Sequence, residues 1–254
     1  MLSAPDAALL VVAGVVAGIV GTAGGITSLV SYPALIAVGL APLPANVANI
    51  VALVTCWPGA AAASRPELAG RGAWLLRWSV VAALGGAGGA LLLLSTPPGA
   101  FARIVPFLIT AASATLLVQP KLRLLHERGS GRAALAVLAV GLGFTTLYNG
   151  YFGAGAGVMT LTLLLVSTHE HLPTANALKN MVIGAATAAS ALVLVVDTRV
   201  AWPDVGVISA GLFVGSLIGP RVARLLHPDL LRWLVALAGF GLAGWLWANG
   251  GAGA

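Results

Sequence analysis

The chain has 254 residues, of which 59% are hydrophobic and 8% are charged. An average soluble domain carries about 25% charged residues, so this composition excludes an ordinary soluble protein. Residues 7–64, 133–169 and 233–254 contain no Asp, Glu, Lys or Arg. Uncharged apolar runs beyond about 18 residues predict membrane-spanning helices. The sequence therefore predicts an all-α polytopic membrane protein.

The net charge of +6 does not indicate nucleic-acid binding, because the cations lie in short loops and no basic stripe carries interleaved aromatic residues. The single cysteine, Cys56, excludes an intramolecular disulfide. The first apolar segment lacks a preceding basic flank, so we expect it to be retained rather than cleaved as a signal peptide. No long polar stretch predicts a soluble domain, and the function must reside within the bilayer.

The apolar segments number eight, at residues 7–38, 45–64, 73–94, 100–118, 133–167, 174–196, 205–220 and 233–249. Six of them have lengths that fit a hydrocarbon core of about 30 Å. The first and the fifth are too long, and a glycine-rich stretch interrupts each near its middle, at residues 18–25 and 150–157. We therefore predict a break in both helices.

Landmark residues recur along the chain and predict two repeats of four segments each. Gly18, Gly21 and Gly25 reappear 132 positions later. Four further pairs follow in the same order at almost the same offset: Pro44 and Pro173, Asn46 and Asn176, Trp74 and Trp202, Arg103 and Arg232. A duplicated unit of about 130 residues accounts for this order. The predicted domains are a first repeat at 1–118, a basic cytoplasmic linker at 119–132 and a second repeat at 133–254.

The loop charges favour an inverted relation between the two repeats. If each broken segment is a re-entrant hairpin, ten of the thirteen cations face one side and two, Arg103 and Arg199, face the other. If all eight segments cross, the split is eight against four. Lys179 lies within the membrane in both arrangements. The positive-inside bias favours the inverted form with both termini outside the cytoplasm, and a kinked but spanning first helix is the alternative.

The paired glycine clusters predict a polar site. Each glycine weakens a helix by about 1 kcal/mol relative to alanine, and an opened helix frees N–H and C=O groups that lipid cannot satisfy. Half-helix N-termini at two such breaks point N–H donors towards one place, which favours an anion near the midplane. The candidate residues are Gly21, Thr22, Gly24, Gly25, Tyr151, Gly153, Gly155 and Gly157. Gly85 with Gly89 and Gly211 with Gly215 have the spacing of helix-packing contacts.

Lys179 is the charged residue deepest within an apolar segment, and it lies between Asn176 and Asn180. A lysine at the centre of a membrane helix costs at least about 2.5 kcal/mol, so it is a candidate for substrate binding. Its long side chain could instead reach the membrane surface. Asn46 and Asn49 occupy the corresponding place in the first repeat. These amides either donate to an oxyanion or join helix to helix.

Other side chains exclude several classes of function. His169, Glu170 and His171 have no third ligand nearby, so we expect no metal site. No carboxylate lies deep in a segment, which argues against a proton relay and against cation transport. No acid–base pair or nucleophile triad accompanies them, so we expect neither an enzyme nor a cofactor. Most tryptophans lie near segment ends and are expected to anchor the helices at the interface.

These features resemble the sulfite exporter TauE/SafE family of membrane permeases. The resemblance rests on the glycine-rich run at 18–25 with Pro33 and the Asn46 region, and on their counterparts at 150–157 and 175–180. It departs from the family pattern in the first glycine run, which lacks a third consecutive glycine, and at Leu165, where the duplicated proline is expected. The resemblance implies transport of a small sulfur-containing anion, such as sulfite or an organosulfonate, across the cytoplasmic membrane.

We therefore expect a multi-pass transporter of the cytoplasmic membrane that works by alternating access. Its partners are the lipid bilayer and a small anionic substrate, with no nucleic acid. Coupling to a proton or another ion and assembly as a homodimer are left open. The alternatives are a passive channel or facilitator for a small solute, and a non-transporting membrane scaffold in which the glycines serve packing alone.

Overall fold

The computed structural model describes residues 2–124, 132–168 and 170–222 and nine residues between 233 and 248. The first three stretches hold eleven α-helices, and no strand occurs in the part described, which confirms the all-α fold. The helices are α1 (Ala4–Gly24), α2 (Ser28–Ala37), α3 (Pro42–Leu53), α4 (Cys56–Ala63), α5 (Arg65–Leu68), α6 (Gly72–Leu94), α7 (Pro98–Leu124), α8 (Arg132–Tyr151), α9 (Ala156–Ser167), α10 (Leu172–Asp197) and α11 (Trp202–Val222). Of the seventeen residues of the predicted eighth segment, 233–249, nine are described and eight lie outside the described residues.

Five stretches are long and apolar enough to cross a membrane: Ala4–Gly24, Pro42–Ala63, Gly72–Leu94, Leu172–Asp197 and Trp202–Val222. Four shorter apolar helices accompany them, among them α2 and α9. Large apolar side chains on the outer helix faces, such as Leu76, Val140 and Leu192, are exposed. A chain with this exterior is built to face lipid rather than water.

Both long apolar segments break at the glycines, as predicted. The first divides into α1 and α2 at Gly25, which has a φ of +85°. The second divides into α8 and α9, where Gly153 and Gly155 have φ values of +83° and +77°. Side chains with a Cβ atom rarely adopt this left-handed conformation, so glycine permits the break.

The chain turns back on itself after each break. The Thr160 hydroxyl donates to the Thr145 hydroxyl at 3.3 Å, and Leu163 lies against Gly141, so α9 runs antiparallel to α8. In the first segment Thr27 folds back onto Gly21. These contacts make hairpins of the two broken segments, although α1 alone has the length to cross a membrane.

The apolar segment predicted at 45–64 is confirmed as one stretch long enough to cross a membrane, Pro42–Ala63, and the helix bends within it. Two helices occupy it, α3 and α4, with a turn at Val54 and Thr55 between them. The Thr55 hydroxyl donates to the Ala52 carbonyl at 2.7 Å and to the Ser209 carbonyl at 3.3 Å. Back-bonding of this kind bends helices, and the bend joins α4 to α11.

Glycine stripes determine which helices pack closely. Gly14 and Gly18 of α1 lie against Gly211 and Gly215 of α11, so these two helices run parallel. A Cβ built on Gly215 would lie 3.0 Å from the Gly18 Cα. On α6, Gly85 and Gly89 lie against α8 in the same way. The predicted packing role of both glycine pairs is confirmed.

The helices form two bundles. Each bundle contains one helix from the other half of the chain: α11 packs with the N-terminal helices, and α6 packs with the C-terminal helices. The first bundle contains α1–α4 and α11, and the second contains α8–α10 and α6. α8 runs parallel to α6, and α6 runs parallel to α10. The turn between α10 and α11 reverses the chain, and α1 runs parallel to α11, so α1 and α8, which begin the two predicted repeats, run in opposite directions. These directions agree with the inverted arrangement, which, like the duplication and the domain boundaries, stays a prediction. α7 continues to Leu124, into the predicted linker, whose residues 125–131 lie outside the described part.

Candidate functional site

The two helix breaks meet at the interface between the bundles. A Cβ built on Gly157 would lie 2.5 Å from the Gly25 Cα, so the backbones of the two breaks are in direct contact. Neither position has room for a side chain. The backbone N–H of Gly25 donates to the Gly21 carbonyl at 2.6 Å, and this hydrogen bond ends α1. The predicted convergence of the two breaks is present in the structure.

Side chains of α10 cap the C-terminal end of α1. Asn176 and Asn180 donate from Nδ2 to the Thr22 carbonyl at 2.9 and 3.0 Å. Lys179 donates from Nζ to the Gly21 carbonyl at 3.2 Å. The last carbonyls of a helix have no partner within the helix, and in a membrane they need one from the protein.

The other break is capped in the same manner from the opposite bundle. Asn46 of α3 donates from Nδ2 to the Tyr151 carbonyl at the end of α8, at 2.9 Å. The Oδ1 atoms of Asn46 and Asn176 are both buried without a hydrogen-bond partner among the described residues. Four side-chain bonds to carbonyls thus cross between the bundles, and they centre on the two helix ends.

Asn49 serves a contact within the first bundle. It donates from Nδ2 to the Ser28 hydroxyl at 3.0 Å and accepts from the Ser31 hydroxyl at 2.5 Å. This pairing joins α3 to α2. Of the two roles open to the amides, the structure gives helix joining to Asn49, and cross-bundle capping to Asn46, Asn176 and Asn180.

A cavity of about 60 Å³ lies beside the two breaks. At about 15 Å³ for each water position, it has room for roughly four waters. Seven of the predicted site residues line it: Gly21, Thr22, Gly25, Gly153, Gly157, Lys179 and Asn180. The others, Gly24, Asn46, Asn49, Tyr151, Gly155 and Asn176, lie outside its lining.

Several residues of the cavity wall were not predicted. Trp57 is half-buried and lines the cavity with its ring against Gly184, whereas most tryptophans were expected at the membrane surface. Asn149, which the sequence already places beside the second glycine stretch, donates to the Thr187 hydroxyl of the cavity wall at 3.0 Å. Thr187 and Gly184 follow Asn180 on one face of α10, at the spacing of helical turns. That periodicity is the sequence signal that could have found them.

Lys179 is the dominant charge of the cavity. Its side chain is 1% exposed, so it does not reach the membrane surface as the alternative proposed. No ion pair joins it to a carboxylate within the described residues, and the Gly21 carbonyl is its one hydrogen-bond acceptor there. An ammonium has three N–H donors. The remaining donors lie beside the cavity, which makes it complementary to negative charge.

We predicted that the loop at 169–171 does not bind a metal. Of its residues, Glu170 and His171 are described, and His169 lies outside the described residues. Glu170 forms a two-pronged ion pair with Arg71, one of whose bonds measures 2.8 Å. The carboxylate is thereby engaged between the starts of α6 and α10. Within the described part of the chain, no three metal-binding side chains lie close enough together to hold a metal ion.

A helical membrane protein with broken helices that meet at a polar, cationic cavity between two bundles has the architecture of a membrane transporter. A family model agrees: the chain belongs to the sulfite exporter TauE/SafE family, whose model matches residues 7–246. It is 27% identical over 242 residues to a "Probable membrane transporter protein" of Haemophilus influenzae, covering 92% of this chain and 91% of that protein. It is 23% identical over 232 residues to the "Probable membrane transporter protein YfcA" of Escherichia coli K12, covering 87% and 82%. No solved structure matches the chain significantly.

Proposed function

We propose that the protein transports a small sulfur-containing anion, such as sulfite or an organosulfonate, across the cytoplasmic membrane by alternating access. The observation that carries this proposal is Lys179, a buried ammonium beside a cavity, with no carboxylate partner in the described part of the chain. A charge at this depth is costly unless a counter-ion accompanies it. An anionic substrate is that counter-ion.

The size of the cavity supports a compact anionic group. Its 60 Å³ accommodate roughly as many heavy atoms as sulfite contains. Lys179 Nζ supplies charge, and the Asn149 and Thr187 side chains supply polar atoms on the wall. The family name supports sulfite as one member of the substrate class, and the curated relatives carry transporter names without a substrate.

The arrangement of the bundles supports a rocking motion. The four capping bonds from Asn46, Asn176, Lys179 and Asn180 cross the bundle interface close to its middle. Glycine stripes hold α11 to α1 and α6 to α8 within each bundle. Motion therefore occurs between the bundles, and the capping bonds act as its pivot. We place the end with Arg65, Arg71, Arg77 and Arg221 in the cytoplasm because of the positive-inside bias, and we attribute the opposed helix directions to an inverted duplication.

Replacement of Lys179 tests the proposal. We expect Lys179→Gln to abolish both the thermal stabilisation of the purified protein by sulfite, sulfoacetate or taurine and the uptake of the stabilising anion into proteoliposomes. In the wild type, a ligand at 100 times its Kd adds about 2.7 kcal/mol to stability. Arg65→Gln, which removes an exposed cation at the basic end, is the matched control and should keep both properties.

Unchanged transport by a monodisperse Lys179→Gln protein would remove Lys179 from the site and with it the basis of the proposal. Lys179→Met provides a second neutral variant if the glutamine protein does not fold. Counterflow in the same proteoliposomes separates the alternatives, because trans-stimulated exchange belongs to a carrier and not to a channel. A scaffold shows neither uptake nor exchange.

A further inference from the structure

A second recess opens between the bundles at the end opposite the basic loops. It has a volume of about 500 Å³. The start of α3 forms one wall, and the last residues of α6 and α10 form the other. At the basic end, in contrast, α5 packs on α10, and Arg71 pairs with Glu170. The recess therefore opens one end of the interface between the bundles, whereas α5 lies over α10 at the other end.

The wall of the recess is apolar except at its rim. Leu43, Val47, Leu93 and Leu194 contribute to it. The hydroxyls of Thr96 and Thr198 donate to carbonyls of their own helices, at 2.8 and 2.7 Å. They therefore have no proton left to offer a ligand.

Arg199 is the charged residue of the recess lining. Its guanidinium has no hydrogen bond and no ion pair within the described residues, and no carboxylate lines the recess. Asp6, Asp197 and Asp204 lie towards the same end of the molecule, and none of them belongs to the lining. An unpaired guanidinium above an apolar wall is complementary to an organic anion with a short apolar body.

We infer that this recess is an outer binding site for small organic anions, in which Arg199 pairs with the acid group and the leucine-rich wall contacts the apolar part. The inference rests on the proposed transport of an anion and narrows its class. Sulfite has no apolar part and would engage Arg199 alone, whereas a short alkanesulfonate engages both. The recess extends inward to Val47, the neighbour of Asn46, and so leads towards the central network.

The charge of the recess can be tested without a transport assay. Ser95 lines the recess and is exposed, so Ser95→Cys places a thiol there. We measure its reaction with a methanethiosulfonate reagent bearing a sulfonate and with one bearing a trimethylammonium group, in phosphatidylcholine nanodiscs. The wild-type chain, with Cys56 as its one cysteine, gives the background.

We expect the ratio of the two rates to favour the anionic reagent and to fall roughly fivefold with Arg199→Gln, because a unit charge at short range attracts one reagent and repels the other. Arg103→Gln is the matched control, since Arg103 is exposed on α7 and lies outside the recess lining. A ratio that is the same with and without Arg199 overturns the inference. Thr96→Cys is the second reporter if Ser95→Cys does not fold.

Ligand binding is tested by protection of the same thiol from a neutral reagent. Butanesulfonate should protect it more strongly than methanesulfonate, and Arg199→Gln should abolish the protection while Lys179→Gln leaves it. Protection that depends on Lys179 instead, or that appears only in nanodiscs with anionic phosphatidylglycerol, contradicts an outer site for a soluble anion. Loss of transport in Lys179→Gln with retained protection separates the central site from this one.

Discussion

The carbonyl of Thr22 shows how one atom connects the two bundles. It accepts hydrogen bonds from both Asn176 and Asn180 of α10. A carbonyl oxygen has two lone pairs, so the Thr22 carbonyl is fully satisfied by side chains from the other bundle. The asparagines were predicted either to donate to an anion or to join helices, and both of them donate to the protein backbone. Lys179 has donors beyond its single backbone bond.

The shared acceptor makes the two asparagines interdependent. We expect Asn176→Ala and Asn180→Ala each to cost about 1 kcal/mol in free energy of unfolding, because the other amide still satisfies Thr22. The double variant should lose about 1–2 kcal/mol more than the sum, since a buried carbonyl is then left without a partner. Unfolding by SDS in mixed micelles measures these free energies.

A cycle of Asn176→Ala with Asn149→Ala is the control, because Asn149 bonds Thr187 and shares no acceptor with Asn176. These two losses should add. Strict additivity for the Asn176 and Asn180 pair would contradict shared capping of Thr22.

At the scale of the helix, close backbone contact determines the packing of α6. Gly86 lies against α10, where an added Cβ would be 2.8 Å from the Ala186 Cα. The Ser190 hydroxyl donates to the Gly86 carbonyl at 2.8 Å across the same contact. Gly88, two residues further, has no atom within 4 Å of an added Cβ. The two glycines thus have opposite roles on one helix.

Alanine substitution at these two positions should have opposite effects. Gly88→Ala should stabilise the protein by about 0.5–1 kcal/mol, because alanine restricts the unfolded chain and favours the helix. Gly86→Ala should destabilise it by about 1–3 kcal/mol, because α6 and α10 must move apart. Thermal unfolding in detergent compares the two proteins, and similar effects of both substitutions would contradict the packing described for α6.

The helix breaks were predictable because several glycines cluster where an apolar helix is too long for the bilayer. The bend at Val54 and Thr55 was not, because it depends on the Thr55 hydroxyl and on the Ser209 carbonyl of a distant helix. The place of Trp57 in the cavity wall was not predictable either, because it depends on the space that Gly184 of a distant helix leaves for its ring.

At the scale of the whole molecule, the exchange of α6 and α11 between the two halves could not be predicted from the sequence. Small-residue stripes occur on α1, α6 and α11 alike, and any of them can pack on another. The partner is selected by the fit of all helices together. Lys179 and the paired asparagines were predictable as unusual residues, but their acceptors on the other bundle were not.

This exchange gives each bundle a helix from the other half of the chain. The connections that carry it are the segment from α4 to α6, which contains α5, and the turn from α10 to α11. The proposed motion of the bundles would be absorbed at these connections and at the capping bonds of the interface. The anion would bind where the bundles contact at the centre, and its release would follow their separation at one end.

The most direct test of a central anion site is anomalous diffraction from crystals grown with selenite, a heavier analogue of sulfite. We expect a selenium peak in the cavity beside Gly25 and Gly157, with an oxygen within hydrogen-bond distance, about 3 Å, of Lys179 Nζ. The peak should be absent from crystals of Lys179→Gln. An ordered selenium peak elsewhere, with an empty central cavity in a protein that binds selenite in solution, would contradict it.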